Sequence, residues 1–167
     1  MDVFLLRHGI AEEPAARSGR PDSGRRLTDK GIQRVRQIAR AMQELELEFD
    51  LILASPFPRA RETAEIVAAV LHFEDRLQLT GHLAIPPSSS KLLGQINGTQ
   101  PLPKSVLLVG HEPHLSGLAS LLLAGTPSVE LILKKGGLCK LEVSGLQAAR
   151  CASLAWLLTP RQMLLMS

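Results

Sequence analysis

Val3-Phe4-Leu5-Leu6-Arg7-His8-Gly9 carries an apolar run straight into a cation, an imidazole and a glycine. Four consecutive apolar residues bounded by a glycine read as a short strand buried on both faces, too brief for a stable helix. Such a strand belongs inside a sheet covered by helices on both sides. Its end would then present Arg7, a planar, permanently charged fork matched to phosphate oxygens. His8 adds a nitrogen that is largely neutral near pH 7 and can act as a nucleophile. Gly9 would let the backbone turn and let a ligand approach closely.

Moving outward, Ile10 to Arg26 is polar, rich in Arg, Gly and Pro, and without a period; it reads as a loop beside that strand end. Thr28 is placed to cap a helix in which Ile32, Val35, Ile38, Ala39, Met42 and Leu45 recur at spacings of three and four. Asp50 to Ala54 is a second buried strand, closed by Ser55-Pro56. Pro58 opens the next helix, with Thr63, Ile66, Val67 and Val70 as its apolar side. Leu77 to Leu79 is a third strand, and Pro86 to Gly98 a short Ser-rich helix or loop. Ser105 to Val109 is the clearest strand and ends at Gly110-His111, with a helix over Pro113 to Leu123 behind it. Val129 to Leu133 and Leu138 to Val143, joined through Lys134-Lys135-Gly136-Gly137, read as a hairpin. An edge strand over Ala149 to Leu158 and a short terminal helix over Pro160 to Met166 complete the chain. Alternating strands and helices imply a three-layer α/β/α sandwich with a mostly parallel sheet and an antiparallel C-terminal edge.

Composition bounds the function. The 167 residues suit one domain, 45% hydrophobic and 21% charged, with aromatics at 3% and no Tyr. An aliphatic core follows, and base-stacking recognition of single-stranded nucleic acid is disfavoured. A net charge of +3 suits anionic substrates without forming a nucleic-acid footprint. Cys139 and Cys151 lack metal-ligand spacing and read as reduced core residues. No secretory leader or membrane span is visible, so a cytoplasmic location, away from membranes, is expected.

Ligands in open α/β sheets bind beyond the carboxyl ends of the parallel strands. There the sequence would gather Arg7 and His8 from one strand, Ser55 and Arg59 from a second, and His111 from a fourth. Two arginines and two histidines can compensate a dianionic phosphoryl group and leave one imidazole free to attack. Arg59 could instead pair with Glu62 on its own helix. His111-Glu112-Pro113-His114 lacks the helical spacing of a zinc motif, and no metal or other cofactor is expected. Arg17, Arg20, Arg25 and Arg26 form either a solvated loop or a rim for a phosphoprotein. His114 could border the pocket; His72 and His82 have no evident partners.

The ordered set Arg7-His8-Gly9, Leu27-Thr28 with Gly31, Ser55-Pro56 with Arg59-Ala60 and Thr63, and Gly110-His111 resembles the histidine phosphatase superfamily over about three-quarters of the chain. The resemblance implies a phosphoglycerate mutase-like fold, one domain over residues 1–167. It also implies that His8 forms a phosphohistidine intermediate, with Arg7, Arg59 and His111 holding phosphoryl oxygens and Gly9 and Ser55 shaping the site. The short chain and the Arg-His-Gly-x-Ala opening, completed by Ala11, look most like the SixA-type phosphohistidine phosphatases.

Larger members of the superfamily carry a mid-chain acid that protonates a leaving oxygen. Here Thr80 to Gln100 (TGHLAIPPSSSKLLGQINGTQ) contains no Asp or Glu. An alkoxide needs such an acid, whereas an imidazole can leave already protonated. The expectation is therefore P–N cleavage on a phosphohistidine-bearing protein, such as a histidine-containing phosphotransfer domain of a signalling relay, reached through a site with little sequence to cap it. Glu12, Glu13 and Asp22 are the carboxylates that could replace the acid. The alternatives are a general small-molecule phosphomonoesterase and a non-catalytic phosphate-binding module.

Overall fold

Strand β1 (Asp2–Arg7) lies near the middle of a six-stranded sheet in a computed structural model describing residues 1–14 and 21–166. The other strands are β2 (Leu51–Ala54), β3 (Leu77–Leu79), β4 (Ser105–Gly110), β5 (Leu138–Val143) and β6 (Ala152–Leu158), in spatial order β3-β2-β4-β1-β5-β6. The first four run parallel, and β5 and β6 form the antiparallel edge. Helices α1 (Asp29–Glu44), α2 (Pro58–Leu71), α3 (Ser89–Asn97), α4 (His114–Ala124) and the short α5 (Pro160–Met163) surround it.

Alternation along the strands decides which layer each residue supports. Phe4 and Leu6 of β1, with Ile52, Ala54, Leu107 and Val109, face a cluster built with Val35, Ile38 and Met42 of α1 and Ala64 and Val67 of α2. Val3 and Leu5, with Leu51, Leu53, Val106 and Leu108, face a second cluster built with Leu92 and Ile96 of α3 and Leu115 and Leu118 of α4. Both faces are covered, which is why the central strands read as continuous apolar runs. Thr28 caps α1 as expected, its Oγ1 accepting from Gly31 N at 3.0 Å.

Two expectations need correction. Residues 129–133 form no strand: β5 pairs with β1 and β6, and Ile132 stands 70% exposed. The segment instead carries the chain from α4 to the end of β1, anchored by Val129 N donating to Ser120 Oγ and by Arg7 Nη1 donating to Leu133 O. The buried side of α2 runs through Ala60, Thr63, Ala64, Val67, Ala68 and Leu71, with Ile66 and Val70 only at its margin. Cys139 is buried as expected, while Cys151 is partly exposed. No helix among the described residues is long and apolar enough to cross a membrane.

Candidate active site

Register places the site. Arg7 of β1 pairs with Gly110 of β4, and Ala54 of β2 with Val109, so three strands end level with one another. His8 N then donates to Gly110 O at 3.1 Å and Ser55 N to Val109 O at 3.0 Å. These bonds set His8, Ser55 and His111 side by side at the carboxyl edge, with His8 and His111 ring centroids 5.2 Å apart. α2 begins just past Ser55, and its second residue, Arg59, reaches back so that Nε lies 3.3 Å from His8 Nε2. His8, Arg59 and His111 are only 4%, 2% and 2% exposed.

The tautomer of His8 follows from its partners. Nδ1 lies 2.8 Å from the carbonyl oxygen of Gly9, which can only accept, so Nδ1 carries the proton. Nε2 therefore holds the lone pair, and it accepts from Arg59 Nε. Burial pushes the His8 pKa down to about 3, and His111, Arg59 and Arg7 act in the same direction against the Gly9 hydrogen bond. Burial, reinforced by Arg59, lowers His111 to about 4. Both imidazoles are neutral at pH 7.

His111 Nε2 lies 2.8 Å from Ser55 Oγ, while its Nδ1 is buried without a partner. Arg7 Nε is likewise buried and unpaired. These two unmatched polar atoms mark where a polar ligand would complete the hydrogen bonding. Phe57 packs against His111 and lies beneath the Arg59 guanidinium, at 5.3 and 5.5 Å.

Gly9 serves differently from expectation. Its φ is not positive, its N–H is committed to Thr63 Oγ1 at 3.0 Å, and a side chain there would strike Val35 of α1. It allows β1 to approach α1 and orients His8 through its carbonyl. Arg59 does not pair with Glu62, which accepts from Arg26 Nε and Leu27 N instead. Its partner is Asp22: Nη1 donates to the Asp22 carbonyl at 2.6 Å and Nη2 to Oδ2 at 3.0 Å. Arg25 also pairs with Asp22 within the loop, and Arg26 pairs with Glu62 of α2. Arg17 and Arg20 lie outside the described residues.

Burial raises the Asp22 carboxyl, yet Arg59 and Arg25 outweigh it and hold the pKa below its ordinary value. Asp22 is thus ionised near neutral pH and cannot serve there as a proton donor. Thr80 N donates to Ala54 O and Leu83 packs beside Gly110, so the carboxylate-free segment borders the strand ends. The His111-Glu112-Pro113-His114 run disperses: Glu112 accepts from Ser116, and His114 Nε2 lies 3.1 Å from Ser89 Oγ. Among the described residues no group of three or more His, Cys, Asp or Glu could hold a metal ion.

Sequence reasoning missed Asp22 as the partner of Arg59, Thr63 as the acceptor for Gly9, and Phe57 beneath the site. Thr63 belonged to the quoted motif, but its use became visible only with the α2–β1 packing.

The model of the histidine phosphatase superfamily (branch 1) matches residues 3–81. The phosphohistidine phosphatase SixA of Escherichia coli is 30% identical over 75% of this chain and 76% of its own. The chain belongs to the histidine phosphatase superfamily. A Picosynechococcus protein of uncharacterised function is 37% identical over 83% of this chain and 82% of its own. A solved structure of the protein histidine phosphatase SixA complexed with tungstate superposes with a TM-score of 0.77 at 27% identity, covering 96% of this chain and 98% of that one. Family and fold together support phosphatase activity for this superfamily member.

Proposed function

We propose that the chain is a protein phosphohistidine phosphatase working through a covalent phosphoenzyme on His8. The observation that carries this reading is the neutral His8, with Nδ1–H fixed on Gly9 O and the Nε2 lone pair held beside Arg59. Nε2 attacks phosphorus in line; the new P–N bond forms as the substrate P–N bond breaks, and its electron pair stays on the substrate imidazole, whose other ring nitrogen already carries a proton, so it departs as neutral imidazole. Positive charge developing on His8 is stabilised by its Nδ1–H bond to Gly9, and charge on the equatorial oxygens by Arg7, Arg59 and His111. Water then attacks phosphorus, the electron pair returns to Nε2, and the water proton goes to solvent with release of phosphate. Ser55 orients His111, and Gly9 orients His8.

The substrate class rests on the missing acid. Asp22 is ionised, and the 80–100 segment has no carboxylate, so a leaving alkoxide would depart without a proton donor from either. An imidazole needs none. The same reasoning favours a phosphoramidate over a phosphate ester, and the substrate we propose is a phosphoprotein of a cytoplasmic signalling relay.

Two measurements test it. Single-turnover mixing with a radiolabelled phosphohistidine protein should leave acid-labile label on wild type and none on His8→Ala. No label with substrate bound would return the chain to a binding module. Side-by-side turnover should favour the phosphohistidine protein over an alkyl phosphate ester by about a hundredfold, the lower end of what general acid catalysis contributes. Comparable rates would overturn the substrate assignment.

A further inference from the structure

Arg7 borders more than the phosphoryl site. Beside it opens a cavity of about 460 Å³ lined by Arg7, Arg34 of α1, Lys134 and Lys135 of the turn before β5, and Arg161 of α5. Five cations from four parts of the chain converge there, and no carboxylate lines it. The turn is tied to the site by Gly136 N, which donates to Arg7 O and His8 O. Among the described residues none of these five cations has an ion-pair partner. Arg25 and Arg26, by contrast, are ion-paired with Asp22 and Glu62.

We propose that this basic cavity docks an acidic segment of the phosphorylated protein, lying next to the phosphohistidine that enters the His8 site. The inference rests on the phosphohistidine phosphatase reading and extends it to how the partner is chosen. A protein whose phosphoryl group touches His8 must lay neighbouring surface over the mouth of the site, and among the described residues this side offers five cations without an ion-pair partner. Lys134, Lys135 and Arg161 are exposed, which suits an extended acidic surface. A small dianion would instead want buried donors. The lining has no aromatic side chain on which a base could stack, so nucleic acid is the poorer fit. Unpaired cations around a cleft steer an anionic partner and set specificity more than they add affinity.

The test compares free phosphohistidine with two phosphohistidine peptides, one flanked by Glu and one by Gln. Wild type should process the Glu peptide with kcat/KM about tenfold above the Gln peptide at low salt, the lower end of electrostatic steering. That preference should fade as salt shortens the screening length. K134E/K135E should abolish it. K91E/K104E, which changes net charge equally at exposed sites elsewhere, should retain it. Equal turnover of both peptides by wild type would overturn the docking inference while leaving the phosphatase reading standing. So would a preference that survives K134E/K135E or disappears equally in K91E/K104E. Failure to turn over any of the three substrates would remove both.

Discussion

Asp22 Oδ2 accepts from Arg59 Nη2 at 3.0 Å, so a carboxylate occupies part of the fork that the proposed mechanism assigns to a phosphoryl group. Under that mechanism Asp22 competes with substrate for Arg59 while also orienting it through the backbone carbonyl. Asp22→Asn keeps an oxygen acceptor and removes the charge. Inorganic phosphate, as a competitive inhibitor, should bind about two- to fivefold more tightly, the scale of one partly exposed ion pair. If Asp22 were instead the general acid, kcat would fall by two orders of magnitude or more without tighter phosphate binding.

His8 should stay neutral far below the ordinary imidazole range. Nitrogen-edited NMR of the ring between pH 3 and 8 should show a single Nδ1–H tautomer, with protonation only as pH approaches 3. His111 should follow the same pattern with protonation near 4. The sign for stability follows: the unfolded imidazoles take up protons near 6.5 and the folded ones do not, so acid favours unfolding. The contribution is complete above about pH 6.5 and declines as pH falls towards 4 and 3. Urea unfolding at pH 7 and pH 5 should show wild type losing more stability than His8→Asn. A His8 titration near 6.5 would contradict the buried geometry.

Much of this site was legible because it hangs on strand ends. VFLL and SVLLV announce strands covered on both faces, and parallel pairing then aligns Arg7 with Gly110 without further information. The Arg59–Asp22 pair was not legible, because it joins residues 37 apart through a loop whose return depends on an isolated Ala11–Leu27 bridge. Residues 129–133 misled for a different reason. Their apolar content suits a strand, but both edges of β5, the expected hairpin partner, are already taken by β1 and β6, which leaves that segment no place beside it. Composition cannot reveal competition for an edge.

Thr63→Val should expose the support beneath His8. Thr63 is fully buried; its Oγ1 donates to Arg59 O at 2.6 Å and accepts from Gly9 N at 3.0 Å. Valine keeps the shape and leaves the Gly9 N–H unpaired, a loss of about 1–3 kcal/mol. For a chain of this size the melting temperature should fall by about 3–10 °C. Thr63→Ser should recover most of that loss, since the hydroxyl is restored. An unchanged melting temperature in Thr63→Val would show that this bond does not anchor Gly9.

Gly31 provides a test in which local propensity and packing predict opposite signs. It lies in the first turn of α1, where alanine in place of glycine ordinarily favours a helix by up to about 1 kcal/mol. Here a β-carbon would collide with the carbonyl oxygen of Ile10, which already accepts from Thr28 N at 3.0 Å. Ile10 follows directly on His8-Gly9, so relieving the collision must move the chain that carries His8. Gly31→Ala should therefore destabilise the protein by about 1–3 kcal/mol in urea titration. It should also slow phosphorylation of His8 in the single-turnover assay. A more stable Gly31→Ala with full labelling would mean that helix propensity wins and that the α1–loop approach does not position His8.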